Sequence, residues 1–221
     1  MLFDLRSRGR RRTVQGVYLA LALLMGLGLV LFGVGAGNGI GGLLNAFTGN
    51  GSGSNQNQVV SQQEQSALKA VKLHPDSAAA WSQLVQARWT SATGSDYIAA
   101  TAKFTAAGKK ELTGATQAWQ RYLQLTSSPD PTLATLAARA YGYLGNYAGE
   151  ASAWETETAA NPGQLSGYEC LAVSAYAAGQ TRKGDLALSR ALSLAPKSEQ
   201  TTIKTQVTAA KTQPSIAAQD C

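Results

Sequence analysis

Pro162 and Pro196 stand 34 residues apart, each closing an Ala-containing run of helical periodicity, "ETETAANP" and "LSRALSLAP". About 17 residues before each lies a glycine-marked turn, Gly145-Asn146-Tyr147 and Gly179-Gln180-Thr181. Proline lacks an N–H and clashes with the preceding turn, so it ends an interior helix. Glycine adopts left-handed backbone at low steric cost, so it lets the chain leave a helix and turn. A helix, a tight turn, a second helix and a proline stop, recurring at one interval, constrain the fold more than any other feature of this chain. One such unit cannot bury its apolar face alone, whereas stacked units share a continuous core.

The residue choices within the units follow from that packing. Ala138, Ala151, Ala172 and Ala191 let paired helices approach closely while favouring helix. Trp119, Tyr141, Trp154 and Leu188 are the residues expected to fill the space between neighbouring pairs. An earlier unit carries Trp81, Leu84, Val85, Ala115, Trp119, Tyr122 and Leu123, its two helices separated by an insertion near Thr93 to Gly108. Before it, "QSALKAVKLHPDS" reads as the second helix of an incomplete unit ending at Pro75. After the last unit, "SEQTTIKTQVTAAK" (198–211) is more polar, with Ile203 and Val207 at i, i+4, as a helix covering an exposed end would be. Residues 213–221 are expected to form a mobile tail.

This pattern resembles the tetratricopeptide repeat family, whose unit is about 34 residues. The match runs through Ala138, Tyr141, Gly145, Tyr147, Ala151, Trp154 and Pro162, with Gly149 as one extra residue between turn and Ala151. In the next unit it runs through Tyr168, Leu171, Ala172, Gly179, Gly184, Leu188, Ala191, Leu192 and Pro196. The likeness covers about residues 62 to 196. It implies an all-α, tetratricopeptide-like α-solenoid of about three helix pairs plus a capping helix, placed at 61–212. It also implies a concave face, lined by the first helix of each pair, that binds another protein or a peptide segment. The positions carried over to that face are Gln86 and Trp89, Arg139 and Tyr143, and Glu169 and Tyr176. A Trp, Arg and Tyr set suits a binding groove. The competing expectation is packing, with Trp89 under the insertion and Tyr143 or Tyr176 filling a gap between pairs.

Ahead of the repeats the chain changes character. Five arginines within residues 1–13 face only Asp4, and no charged residue follows until Glu64. Of the net +6, this leaves +2 for the region from Glu64 onward, too little for a nucleic-acid-binding stripe. Within the uncharged gap, "VYLALALLMGLGLVLFGV" (Val17 to Val34) is apolar or glycine throughout, so a helix over 14–36 reaches across a hydrocarbon core of ~30 Å. The arginines before it predict a cytoplasmic N-terminus and an extracytoplasmic repeat region. A cleaved signal peptide is the rival, although the apolar run is long for one. Residues 37–60 read as a Gly/Ser/Asn-rich linker. Within it Ile40, Leu43, Leu44 and Phe47 share one helical face over 40–48, suited to the membrane interface or to no fixed structure.

Little in the sequence points to catalysis. His74, the single histidine, precedes Pro75 at an expected helix end. Glu155 and Glu157, two apart, face different directions. Two cysteines make no metal site, and no phosphate-cradling loop or nucleophile motif is found. Cys170 and Cys221 either pair outside the cytoplasm, or Cys170 is a small buried apolar residue. The expectation is a single-span membrane protein that binds a protein partner, with no enzyme activity, cofactor, metal or nucleic acid. A structural subunit of a membrane complex, a secreted binder, and an enzyme sited in the insertion are the alternatives. The oligomeric state is open.

Overall fold

The structure is a computed structural model describing residues 54–101, 103–217 and 221, nearly all within one unit, Gln56–Cys221. Four of the described helices begin at a side chain that accepts from their free N–H groups. The first helix, α1, is Ser54–Leu73, and α2 is Ala78–Ser95, capped by Ser77 accepting from the Ala80 N–H. A two-stranded antiparallel pair follows, β1 (Tyr97–Ile98) and β2 (Lys103–Phe104). Helix α3 (Ala106–Leu125) is capped by Thr105, and α4 (Pro131–Tyr143) by Asp130 with Pro131 in its first turn. Asn146 caps α5 (Tyr147–Ala160) by accepting from the Gly149 N–H. Helices α6 (Leu165–Ala177), α7 (Thr181–Leu194) and α8 (Gln200–Ala209) complete the set. Among the described residues the protein is all-α, with eight α-helices beside the small strand pair.

Gly145 and Gly179 have φ of 72° and 73°. Each ends a helix with the same bond across the turn: the Asn146 N–H donates to Tyr141 O at 2.9 Å and the Gln180 N–H to Ala175 O at 2.8 Å. These turns fold α4 against α5 and α6 against α7; α2 and α3 pair likewise across the strand insertion. Successive pairs meet through α2 and α3 against α4, and α5 against α6. One continuous core runs through them, including Leu84, Trp119, Tyr141, Trp154, Leu171 and Leu188. Ile203 and Val207 bring α8 onto the end of α6 and α7.

Helical glycines set how closely the paired helices approach. Gly142 and Tyr176 occupy positions 34 residues apart, as do Glu150 and Gly184. A Cβ at Gly142 would lie 2.9 Å from Glu150 Oε2, and one at Gly184 would strike the Tyr176 ring. One pair thus puts the small residue on its first helix and the large one on its second, and the next pair reverses them. Gly114 of α3 seats the Arg88 side chain of α2 in the same way.

Three boundaries differ from the sequence expectation. Helix α1 starts at Ser54, inside the stretch read as linker to residue 60, because its glutamines continue the helix as readily as they extend a coil. The insertion shrinks to residues 96–105, since α2 runs on to Ser95 and α3 starts at Ala106. The described residues of the expected 213–221 tail are held in place: Pro214–Ile216 forms a 3-10 turn, Ala217 is 0% exposed and Cys221 is disulfide-bonded to Cys170. The basic stretch 1–13, the apolar run 14–36 and Ile40, Leu43, Leu44 and Phe47 lie outside the described residues. Among the described residues no helix is long and apolar enough to cross a membrane.

Candidate partner-binding face

The first helices of the three pairs are α2, α4 and α6, and the expected face residues diverge on them. Gln86 is exposed on α2, lining a shallow groove of about 500 Å³ against α1 with Gln62, Gln63, Gln83 and Thr90. Trp89, one turn on, is half-buried, and its ring stacks on Tyr143 of α4 at 6.3 Å between centroids, 29° between planes. Tyr143 also meets Phe104 at 4.8 Å, and Phe104 meets Tyr97 at 5.0 Å.

The insertion makes this cluster possible. The Thr105 N–H donates to Asp96 O at 2.8 Å and the Thr105 hydroxyl to Asp96 Oδ1 at 2.7 Å, closing the loop. That closure registers Tyr97 opposite Phe104 and turns Phe104 inward onto Ala92, Leu112 and Ala140. Tyr97, Ile98 and Tyr143 (37%) stay exposed above it. Trp89 packs near the insertion, and its half-buried ring adjoins this aromatic cluster through Tyr143. Sequence reasoning passed over Tyr97, Ile98 and Phe104, although aromatic and β-branched residues in a short polar insertion are themselves a strand signal.

Arg139 is exposed one turn before Tyr143, and its Nε–H donates to the Cys221 carbonyl oxygen at 2.8 Å. Cys221 is joined to Cys170 of α6, with the two Cα atoms 5.6 Å apart, so one residue ties α4 and α6 together. Glu169, next to Cys170, is half-buried; burial, and then the Glu199 carboxylate, raise its pKa.

Tyr176 does not belong to an exposed face. It is only 4% exposed because its ring covers Gly184, and its hydroxyl donates to Asp185 Oδ1 at 2.6 Å. Burial, and then the Asp185 hydrogen bond and charge, raise the Tyr176 pKa; the same bond, joined by Lys211, lowers that of Asp185. Lys211 Nζ sits 4.2 Å from the ring centroid and 3.5 Å from Asp185 Oδ1, closing this end of the helices. Between α5, α6 and α7, Tyr168, Leu171, Leu186 and Ala187 line an open hollow of about 790 Å³ edged by Glu155 and Lys183. The latter two are ion-paired at 2.9 Å.

Outside these surfaces, Glu150 is 1% exposed with Oε2 lacking a hydrogen-bond partner. Burial raises its pKa from 4.5 to about 8. The Trp154 indole N–H lies close enough to oppose that rise but completes no hydrogen bond, so burial dominates. The carboxyl is sealed against Gly142 of α4. No protein-family model matches this chain, and no characterised protein or solved structure matches it significantly.

Proposed function

We propose that this chain is a protein-interaction module anchored in a membrane by its 14–36 segment, holding a tetratricopeptide-like α-solenoid outside the cytoplasm. The observation that carries it is the Trp89–Tyr143 stack on consecutive first helices, its Tyr143 ring exposed, with Arg139 one turn away. Tyr, Trp and Arg supply large contact area and charge-assisted hydrogen bonds at low ordering cost, which is why they dominate binding hot spots. The recurring 34-residue turn geometry supports stacked units with an extended face. Anchoring such a module raises its effective concentration near membrane partners, so a modest surface suffices. The occupant is another protein or a peptide segment; the reading includes no catalysis, metal, cofactor or nucleic acid.

Crosslinking the full-length protein in native membranes, wild type against the Arg139→Ala/Tyr143→Ala double variant, tests this. Loss of a specific partner in the double variant, with an unchanged circular dichroism spectrum, is the expected result. A partner set that survives the substitutions, at fixed stoichiometry through detergent, would instead assign the contact to the apolar segment and make the chain a structural subunit.

A further inference from the structure

Described residues after α8 reach the first helices α4 and α6. Ile216 packs on the main core and Ala217 is fully enclosed by it. The Pro214–Ile216 turn lies against α6, and Cys221 offers its carbonyl oxygen to Arg139 of α4 while its sulfur joins Cys170 of α6. A short apolar segment with a backbone carbonyl held by an exposed arginine is how a peptide ligand would sit on these two helices. We propose that residues 214–217, together with Cys221, are an intramolecular occupant of the α4–α6 face, locked there by the Cys170–Cys221 disulfide. The inference rests on the partner-face reading above and specifies the ligand class: a short peptide with apolar residues in place of Ile216 and Ala217 and a carbonyl directed at Arg139.

Opening the lock requires an external dithiol. The S–S bond breaks, each cysteine sulfur gains one electron and one proton, and the dithiol becomes a disulfide. The freed segment then competes only through its tether, at an effective concentration on the order of millimolar or below.

The test titrates the full-length chain in detergent with a fluorescein-labelled peptide carrying residues 212–221 with Cys221→Ser, read by anisotropy. The expected result is at least tenfold tighter binding to the reduced chain and to the Cys170→Ser/Cys221→Ser variant than to the oxidised chain. Adding Arg139→Ala should abolish that gain. Equal binding in both redox states, or binding indifferent to Arg139, would overturn the proposal. So would no binding in any state with the helical circular dichroism spectrum intact, which would make the segment a plain strap. If reduction unfolds the chain, Ile216→Asp with the disulfide kept evicts the segment instead, and the same outcomes apply. The titration needs no outside partner, so its failure removes self-occupancy alone. Failure of the crosslinking at Tyr143 removes the face, and this proposal with it.

Discussion

Glu150→Gln offers the sharpest test of how these helices pack. The Glu150 carboxyl is sealed between α4 and α5 over Gly142, with a pKa raised by burial from 4.5 to about 8. In the unfolded chain it loses its proton above pH 4.5, whereas in the folded protein it keeps that proton until about pH 8. The folded state therefore binds more protons across this window, and the contribution of Glu150 to stability is full below 4.5 and falls as pH rises. At about 1.4 kcal/mol per unit, the loss is roughly 3 kcal/mol by pH 7 and 4–5 kcal/mol above pH 8, as upper figures. Local relaxation and water entry reduce such effects, so a slope of at least ~0.5 kcal/mol per pH unit is the working expectation. Glutamine keeps the size and cannot ionise. The assay is urea unfolding of wild type and Glu150→Gln, followed by circular dichroism between pH 4.5 and 9. The two should differ least at pH 4.5, with the variant gaining steadily above it. Glu111 and Glu169, whose pKa values are also raised by burial, titrate in both proteins and cancel in the difference. Parallel stability curves from pH 5 to 9 would refute the argument, because they would mean that the carboxylate reaches water.

The other predictions address the seats, the turns and the cross-link. Gly94→Ala on α2, where a Cβ meets nothing within 4 Å, should stabilise by about 0.5–1 kcal/mol, whereas Gly184→Ala should destabilise by about 1–3 kcal/mol against the Tyr176 ring. Their melting temperatures should move in opposite directions. Gly145→Ala forces a side chain to φ of 72° and should lose roughly 1–2 kcal/mol in denaturant titration, without altering the crosslinked partner set. Cys170 and Cys221 are 51 residues apart, so reduction should remove about 2–4 kcal/mol of stability, visible as a lower urea midpoint under dithiothreitol. The Cys170→Ser/Cys221→Ser variant should show the lower midpoint without reductant.

How much of this was legible beforehand depends on whether the information is local. Proline stops, glycine turns and capping residues act within a few positions of themselves. Pro162 and Pro196, Gly145 and Gly179, and the Ile203–Val207 stripe therefore marked the helix ends, the 34-residue interval and the covering helix from residue type and spacing alone. The binding face is not local. Tyr143 belongs to an aromatic surface only because the strand pair carries Phe104 beneath it, and Tyr176 leaves that surface only because Gly184, eight positions away on another helix, has no Cβ to keep its ring out. The small and large partners even exchange helices from one unit to the next, so aligning the units by residue type would mismatch them. Arg139 and Cys221 are 82 residues apart in sequence, and no period relates them; α6 brings them together through Cys170. Short-range sterics were thus written in the sequence, while the tertiary structure decided which side chains share a surface, because that depends on volumes matched across helices distant in the chain.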